Sequence, residues 1–468
     1  MNTNDGLPLV APLATPTLDP GFRPAALANR AFRQAVEATG TGTPVAVALE
    51  REGGAISRFD TAVFGTENPG ADGSYRYLER WLKFLLWSRG GYRLYFAGPE
   101  DVGDQLRRYY EESETGRFDA EIMGEKIYDH AFEFRRVAAD EVPTACEQAN
   151  PLGGYLNGCR IGFDLGASDR KAAAVIDGET VFSEETVWDP RAHDDPEWHL
   201  AEINDSLEKA AAHLPRVDAI GGSAAGVYVN NRVKIGSLFR GIPTDRFETG
   251  IKPIFEILRK KWNNVPFEVV NDGEVTALAG AMSIGSKGVL GIALGSSEAG
   301  GYVNMDGNIT TWLNELAFAP VDYNPLAAVD EWSRDYGCGV LYFSQQCVGR
   351  LLDAADIVLE ADMPLPDKLK EVQRLMAADD DRAKKIYQTI GTYLGYTAAH
   401  YSEFYEFRHL LVLGRVTTGA GGHVMLNQAR EVLRSEFAGL ADKISFHMPD
   451  EQGKRHGQSI AAASLPEI

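Results

Sequence analysis

The sequence is poor in cysteine: Cys146, Cys159, Cys338 and Cys347 are the four in 468 residues, and no two form a C-x-x-C pair. So low a count in a long chain excludes a disulfide scaffold and suits a reducing compartment. Membrane signatures are missing too. No apolar run approaches the ~20 residues that span a bilayer, and Met1 to Gly6 carries neither a basic segment nor an apolar core, so no secretory signal is expected. Positive charge is in deficit: 46 Lys and Arg against 67 Asp and Glu leave a formal net charge of −21. A general affinity for nucleic acid or for anionic membrane needs a basic face, which this balance argues against. The expectations are a cytoplasmic protein with no nucleic-acid partner and no membrane partner. The rest of the composition is ordinary for a globular protein, 44% hydrophobic and 24% charged, with material for about two to four domains.

Against that background one segment stands out, Phe267-Glu-Val-Val-Asn-Asp-Gly-Glu-Val-Thr-Ala-Leu-Ala-Gly-Ala281. An apolar strand delivers an Asn-Asp pair to its carboxyl end and an Ala-rich helix follows, which is how an α/β fold presents a carboxylate to a ligand crevice. Asp272 is therefore the candidate general base; a first-turn charge at a helix N-terminus is the alternative. Two stretches around it share a plan of strand, small-residue turn and strand: Arg160 to Gly178, with Gly166 and Ser168 in its turn, and Gly288 to Val303, with Gly295, Ser296 and Ser297 in its turn. A fourth junction, His409 to Gly422, runs from a strand into a glycine-rich turn and a helix. Small-residue turns let backbone N–H groups approach phosphate oxygens, and the serines add hydroxyl donors.

In this order the motifs resemble the actin-like ATPase and sugar kinase superfamily, most closely the ROK family of sugar kinases and repressors. Asp164-Leu-Gly-Ala-Ser168 is similar to the family's first phosphate motif, Asn271-Asp272 to its catalytic pair and Leu294 to Gly301 to its second phosphate motif. Leu413-Gly-Arg-Val416 with Gly419 to Gly422 resembles the adenosine motif, and His456 to Ala463 the closing helix. The resemblance covers the chain from Cys159 onward. It implies an α/β fold of two RNase H-like (actin-like ATPase) domains with a cleft between them, preceded by an N-terminal α+β extension. The boundaries expected are 1–158 for the extension, 159–286 for the first domain, completed by 456–468, and 287–455 for the second.

The same resemblance implies an ATP-dependent kinase acting on a hydroxyl of a sugar or sugar derivative, working as a homodimer. Asp272 takes the hydroxyl proton and Asn271 and Glu315 bind the sugar. Gly166, Ser168, Gly295, Ser296, Ser297, Gly414 and Gly419 receive the nucleotide, and Asp164 holds Mg²⁺ through water or else caps its turn. Ser223 and Gly226, in Asp218 to Gly226, either border the sugar or form a tight strand crossing. Departures from the family pattern are Ala167, Ser297, Ala299 and Arg415 at glycine positions, Glu298 at an apolar one, and Phe318 where a sugar-binding His would follow Glu315. Cys338 alone matches the family's cysteine cluster, so no structural zinc is expected. These departures keep open a second reading, a catalytically weak or silent sugar-binding protein with a role in regulation or assembly.

For the extension the patterns predict a proline-rich strap from Leu7 to Pro24, a helix from Ala26 to Thr39, and a hairpin from Pro44–Leu49 and Ile56–Phe64. After these come a helix capped by Ser74 and ending at Gly90, a strand over Tyr92–Ala97, and a helix over Asp101–Tyr110. Leu78, Trp81, Leu82 and Leu85 fall on one helical face and read as core. The arginine pairs 107–108 and 135–136 read as solvated faces rather than a DNA reader. Trp188, His193, Trp198 and His199 read as structural, and Trp312 either stacks on a sugar or packs.

Overall fold

A computed structural model describes residues 6–147, 152–448 and 451–468, with the backbone alone over 451–456, so the side chain of His456 lies outside the described residues. Among the described residues three main sheets form. The first belongs to the extension: β1 (Thr43–Glu50), β2 (Ile56–Val63), β3 (Arg93–Ala97) and β4 (Glu133–Arg136), in the order β2-β1-β3-β4. The predicted hairpin is present, with Glu50 opposite Ile56 and Thr43 opposite Val63. β3 runs antiparallel to β1, and β4 parallel to β3. The pairs Arg107–Glu111 and Arg136–Asp104 lie on this unit's surface at 3.0 and 2.6 Å, so its arginines are matched by acids.

The long helix Asp72–Arg89 is the centre of the extension. Leu78, Leu82 and Leu85 are fully buried and Trp81 nearly so, as the heptad-like stripe predicts. The start differs from expectation: Ala71 precedes the first helical residue and Ser74 falls within the first turn, making no capping bond. Its end is as predicted, with Gly90 in a left-handed φ and its N–H donated to Leu86 O. Every residue from Tyr77 to Arg89 is buried, so the helix is covered on all sides, by its own sheet and by the C-terminal body. The strap before it is tied down by N–H bonds from Ala14 to Tyr396 Oη and from Leu18 to Thr389 Oγ1, over the helix Asp381–Tyr401.

The second sheet contains β5 (Cys159–Leu165), β6 (Asp169–Ile176), β7 (Glu179–Val187) and β8 (Ala219–Ala224). A small hairpin, β9 (Val227–Val229) with β10 (Arg232–Ile235), follows, and β11 (Phe267–Asn271) completes the sheet in the order β11-β8-β5-β6-β7. β5, β8 and β11 are parallel, with Asp164 opposite Ser223 and Asn271 opposite Ala224, so their carboxyl ends meet at one edge. The C-terminal helix Glu451–Ala463 crosses this sheet on glycine: a Cβ at Gly162 or Gly221 would collide with the carbonyl oxygens of Ser459 or Ala462. That close crossing is what the glycines in two otherwise apolar strands are for.

The third sheet joins β12 (Val289–Leu294), β13 (Glu298–Val303), β14 (His409–Leu413) and β15 (Ser445–His447), in the order β13-β12-β14-β15. β12 and β14 are parallel, and the register Ala293 to Leu413 brings the turn after Leu294 beside Gly414. The helix Asp272–Ile284 packs against β12 and β13, linking the second sheet to the third. No described helix is long and apolar enough to cross a membrane.

Candidate functional site

The carboxyl ends of the second and third sheets face one cavity of about 560 Å³. Asn271, Asp272, Gly226 and Glu315 line it, together with Gly295, Ser296, Ser297 and Gly414. The structure thus brings together eight of the residues singled out in the sequence. Asp164, Gly166, Ser168, Ser223 and Gly419 do not line it. Gly166 and Ser168 close the β5–β6 turn, where Gly166 N–H donates to Asp169 O and the Ser168 hydroxyl to Asp169 Oδ2. Ser223, expected beside substrate or in a tight crossing, is fully buried in β8 opposite Asp164. Gly419 precedes the helix Ala420–Glu436 with φ 79°, in open space.

Asp272 opens its helix and Asn271 caps it: Asn271 Oδ1 accepts from Gly273 N–H at 2.7 Å. Asn271 Nδ2 donates to Gly226 O at 2.7 Å, which fastens the loop after β8 to β11. Both ends of that amide are therefore engaged, with one N–H left to meet a ligand. Burial, reinforced by the charge of Asp164, pushes the Asp272 carboxyl up to about 6. Burial and the charge of Asp272 push Glu315 up to about 7.

Two further acids belong to this group. Glu274 and Glu298 are buried, and burial pushes each up to about 8. Glu298 Oε1 accepts from Tyr401 Oη at 3.3 Å while Oε2 has no partner, and Glu274 Oε1 accepts from Asn314 Nδ2 at 3.4 Å. A carboxyl with such a pKa is neutral at pH 7, so Glu298 places no negative charge beside a phosphate there. The sequence marked Glu298 only as a departure and gave no sign of Glu274, whose i+2 spacing from Asp272 turns it to another face of the helix.

The remaining wall comes from the extension. Trp87, Phe118, Ile122 and Ile127 line the same cavity. Trp87 packs on Phe318 with ring centroids 4.4 Å apart and on Phe118 at 6.0 Å. The end of the long helix also holds the Glu315 loop by its backbone: the N–H groups of Leu313, Asn314 and Glu315 donate to the carbonyl oxygens of Arg89, Ser88 and Trp87. Free carbonyls at a helix C-terminus are thereby satisfied by the loop that carries Glu315.

Three other side chains have defined places. Trp188 donates Nε1–H to Gly166 O at 2.8 Å, so the aromatic patch around His193, Trp198 and His199 supports the first hairpin turn. Trp312 is packed, with the Arg89 guanidinium 3.6 Å from its ring centroid and Tyr302 stacked at 5.2 Å, and it is absent from the lining of this cavity. Cys338 is buried against Ser333, and among the described residues no three His, Cys, Asp or Glu side chains gather as a metal-ligating group.

No family model matches the chain, and no curated protein matches it. Solved structures do. The ROK hexokinase from Thermus thermophilus matches at 18% identity over 65% of this chain and 97% of its own, with a TM-score of 0.50. A ROK family transcriptional regulator, a homologue of the E. coli MLC protein, matches at 18% identity over 70% of this chain and 82% of its own, with a TM-score of 0.52. Identity that low speaks for the fold alone. The chain has the α/β fold of the ROK sugar kinases and regulators.

Proposed function

We propose that the protein transfers the terminal phosphoryl group of ATP to a hydroxyl of a sugar or sugar derivative, with Asp272 as general base. One observation supports this above the rest: a carboxyl with a pKa of about 6 opens a helix on the wall of a cavity that also holds Glu315 and the Gly295–Ser297 turn. A base poised near neutrality is both available and strong enough to take a hydroxyl proton. The acceptor oxygen bonds to the γ-phosphorus, the bond from that phosphorus to the bridging oxygen of ADP breaks, and the proton passes to Asp272. Asn271 and Glu315 orient the acceptor, while N–H groups and hydroxyls at Gly295–Ser297 receive phosphate oxygens as charge spreads over them. Gly166 and Ser168 serve the same nucleotide from the other turn, and Gly414 and Gly419 border its base.

Asp164 suits a hydrated Mg²⁺: it ends β5 close enough to raise Asp272, and its nearest cation, Lys171 Nζ, is 3.8 Å away and closer to Asp169, at 3.2 Å. When bound, the ion would neutralise phosphate charge. The proposal includes two lobes, 159–286 with 456–468 and 287–455, and a cytoplasmic homodimer.

A second reading, sugar binding without turnover, is favoured by Phe318 in the place of a polar sugar ligand and by the fold's occurrence in a ROK regulator. A coupled ATP-consumption screen over hexoses, amino sugars and polyols separates the two. The kinase reading expects turnover that rises with pH through about 6, as Asp272 loses its proton, and falls at least ~100-fold in Asp272→Asn. Sugar binding with no ATP consumption on any acceptor establishes the second reading instead.

A further inference from the structure

The cavity has two unlike sides. Most of its polar groups are at the sheet ends, on Asn271, Asp272, Glu315, Glu298 and the Ser296–Ser297 turn, with Ser237 and Arg240 the polar residues that line it from the loop after β10. Its other lining side chains include a run of large apolar groups: Trp87, Phe118, Ile122, Ile127, Phe318 and Trp332. The one hydrogen-bonding group among the six that is itself buried, the Trp87 indole N–H, is already given to Asp119 Oδ1 at 2.9 Å. A hydroxyl pressed against this wall would lose water and gain no partner. An aromatic or other flat apolar group would lose only water, and would gain ring contacts with Trp87, Phe118 and Phe318.

At the mouth of the cavity Trp332 is 63% exposed. Its exposed ring is adjacent to the apolar lining rather than isolated from it, since Trp332 itself lines the cavity. It is not on a loose loop: Asp330 Oδ2 accepts from the N–H groups of Trp332 and Ser333 and from the Ser333 hydroxyl. Arg240, from the opposite side of the cleft, stands with its guanidinium 5.7 Å from the Trp332 ring centroid. A rigid, exposed aromatic at the entrance continues the apolar wall outward from the acid.

We infer that the acceptor is a sugar bearing an aromatic substituent, an aryl glycoside, whose hydroxyls face Asp272, Asn271 and Glu315 while its ring lies along the wall that the extension adds. This rests on the kinase reading for the chemistry at Asp272 but on the wall alone for the substituent. It gives the extension a role in choosing substrate, since four of the six wall residues precede residue 130.

The test compares phenyl glycosides with methyl glycosides of glucose, mannose and N-acetylglucosamine, by calorimetric binding and by coupled ATP consumption. Phenyl compounds are expected to bind about tenfold tighter and to show a correspondingly higher kcat/KM. In Trp332→Ala, and separately in Phe118→Ala, that preference should shrink several-fold; both side chains are partly exposed, so neither variant depends on filling a deep core cavity. Phenyl preference in binding without any ATP consumption supports the wall's assignment and removes the kinase reading. Turnover in which methyl glycosides or free sugars equal the phenyl compounds overturns the inference and leaves the kinase reading standing. Neither binding nor turnover with any compound overturns both.

Discussion

Charge is handled in opposite ways on the two sides of the cleft. On the sheet side, Asp272, Glu274, Glu298 and Glu315 are drawn together without a cation among them, and burial carries their pKa values to between about 6 and about 8. Behind the aromatic wall, each buried acid is matched. Lys83 Nζ lies 3.0 Å from both Asp119 and Asp335, and Arg80 lies 2.9 Å from Asp335 and also pairs with Glu79. Burial works against the Lys83 charge, but Asp119 and Asp335 outweigh it and raise its pKa. Burial also opposes the Asp335 charge, but Arg80 and Lys83 hold it well below the carboxylate range, whereas at Asp119 burial outweighs Lys83 and leaves the carboxyl raised. Paired charge fixes a surface in place, whereas unpaired acid stays ready to exchange a proton. The first belongs to a scaffold and the second to a site.

The largest way to break this contrast is to unpair the scaffold side. Lys83→Met removes the cation between Asp119 and Asp335 in a position with no solvent exposure. An uncompensated buried carboxylate of this kind costs about 3–5 kcal/mol. Urea unfolding of the variant should show a loss in that range and an apolar wall less firmly held. A loss below about 1 kcal/mol would mean that the cluster relaxes or takes up water, and the contrast would then be one of composition only.

The unpaired side makes the opposite kind of prediction, from pH. A carboxyl whose folded pKa is raised above its unfolded value adds stability below the unfolded value, and that stability drains away as pH climbs to the folded pKa. For Glu274 and Glu298, each raised to about 8, the window runs from about pH 4.5 to pH 8. Thermal unfolding of the wild type should therefore weaken across that window. Glu298→Gln keeps the shape but cannot ionise, so it should flatten the decline and be the more stable protein at pH 8.5, by on the order of 2 kcal/mol. Equal slopes for the two proteins would remove Glu298 from the set of unpaired acids.

The two sides also differ in how far they could be read in advance. The sheet side is local in sequence: Asn271 and Asp272 end one strand, Gly295 to Ser297 join two, and Gly414 follows a fourth, so strand periodicity and small-residue turns are enough to place them. The extension's elements were equally legible, since Leu78, Trp81, Leu82 and Leu85 mark a helix by spacing alone. Their destination was not. Trp87 meets Phe318 across a separation of 231 positions in sequence, and nothing in either segment's pattern announces the partner. For Trp312 the sequence leaves a ligand face and packing both open, and its ring is packed against Arg89 and Tyr302 while it borders a smaller pocket beside Asn271 and Glu315. Glu274 was hidden because one acid in a helix's first turn reads as a favourable end charge, and only packing shows that Asn314 lies beside it.

The smallest expected effect concerns whether the extension holds one lobe or both. Its paired cluster attaches it to Asp335, beyond the third sheet's hairpin, but Asp129 reaches the other way, to Lys234 of β10 and to Lys252, each at 2.7 Å. Burial opposes ionisation of Asp129, yet the two lysines hold its pKa below the ordinary value. Its contribution is thus present at neutral pH and lost as pH falls through that depressed value. Asp129 is 40% exposed while Lys234 beside it is only 2% exposed, so water and salt screen the pair in part, and Asp129→Asn should cost about 1–2 kcal/mol. The substitution is clean in backbone terms, because the residue has φ 57° and asparagine tolerates the left-handed region. Its readout is the angle between lobes rather than stability: small-angle scattering at low salt should give a slightly larger radius for the variant, and added salt should bring the wild type to the same value. An unchanged radius at every salt concentration would place the extension's hold on the third-sheet lobe alone, and the wall would then travel with Glu315 whenever the cleft opens.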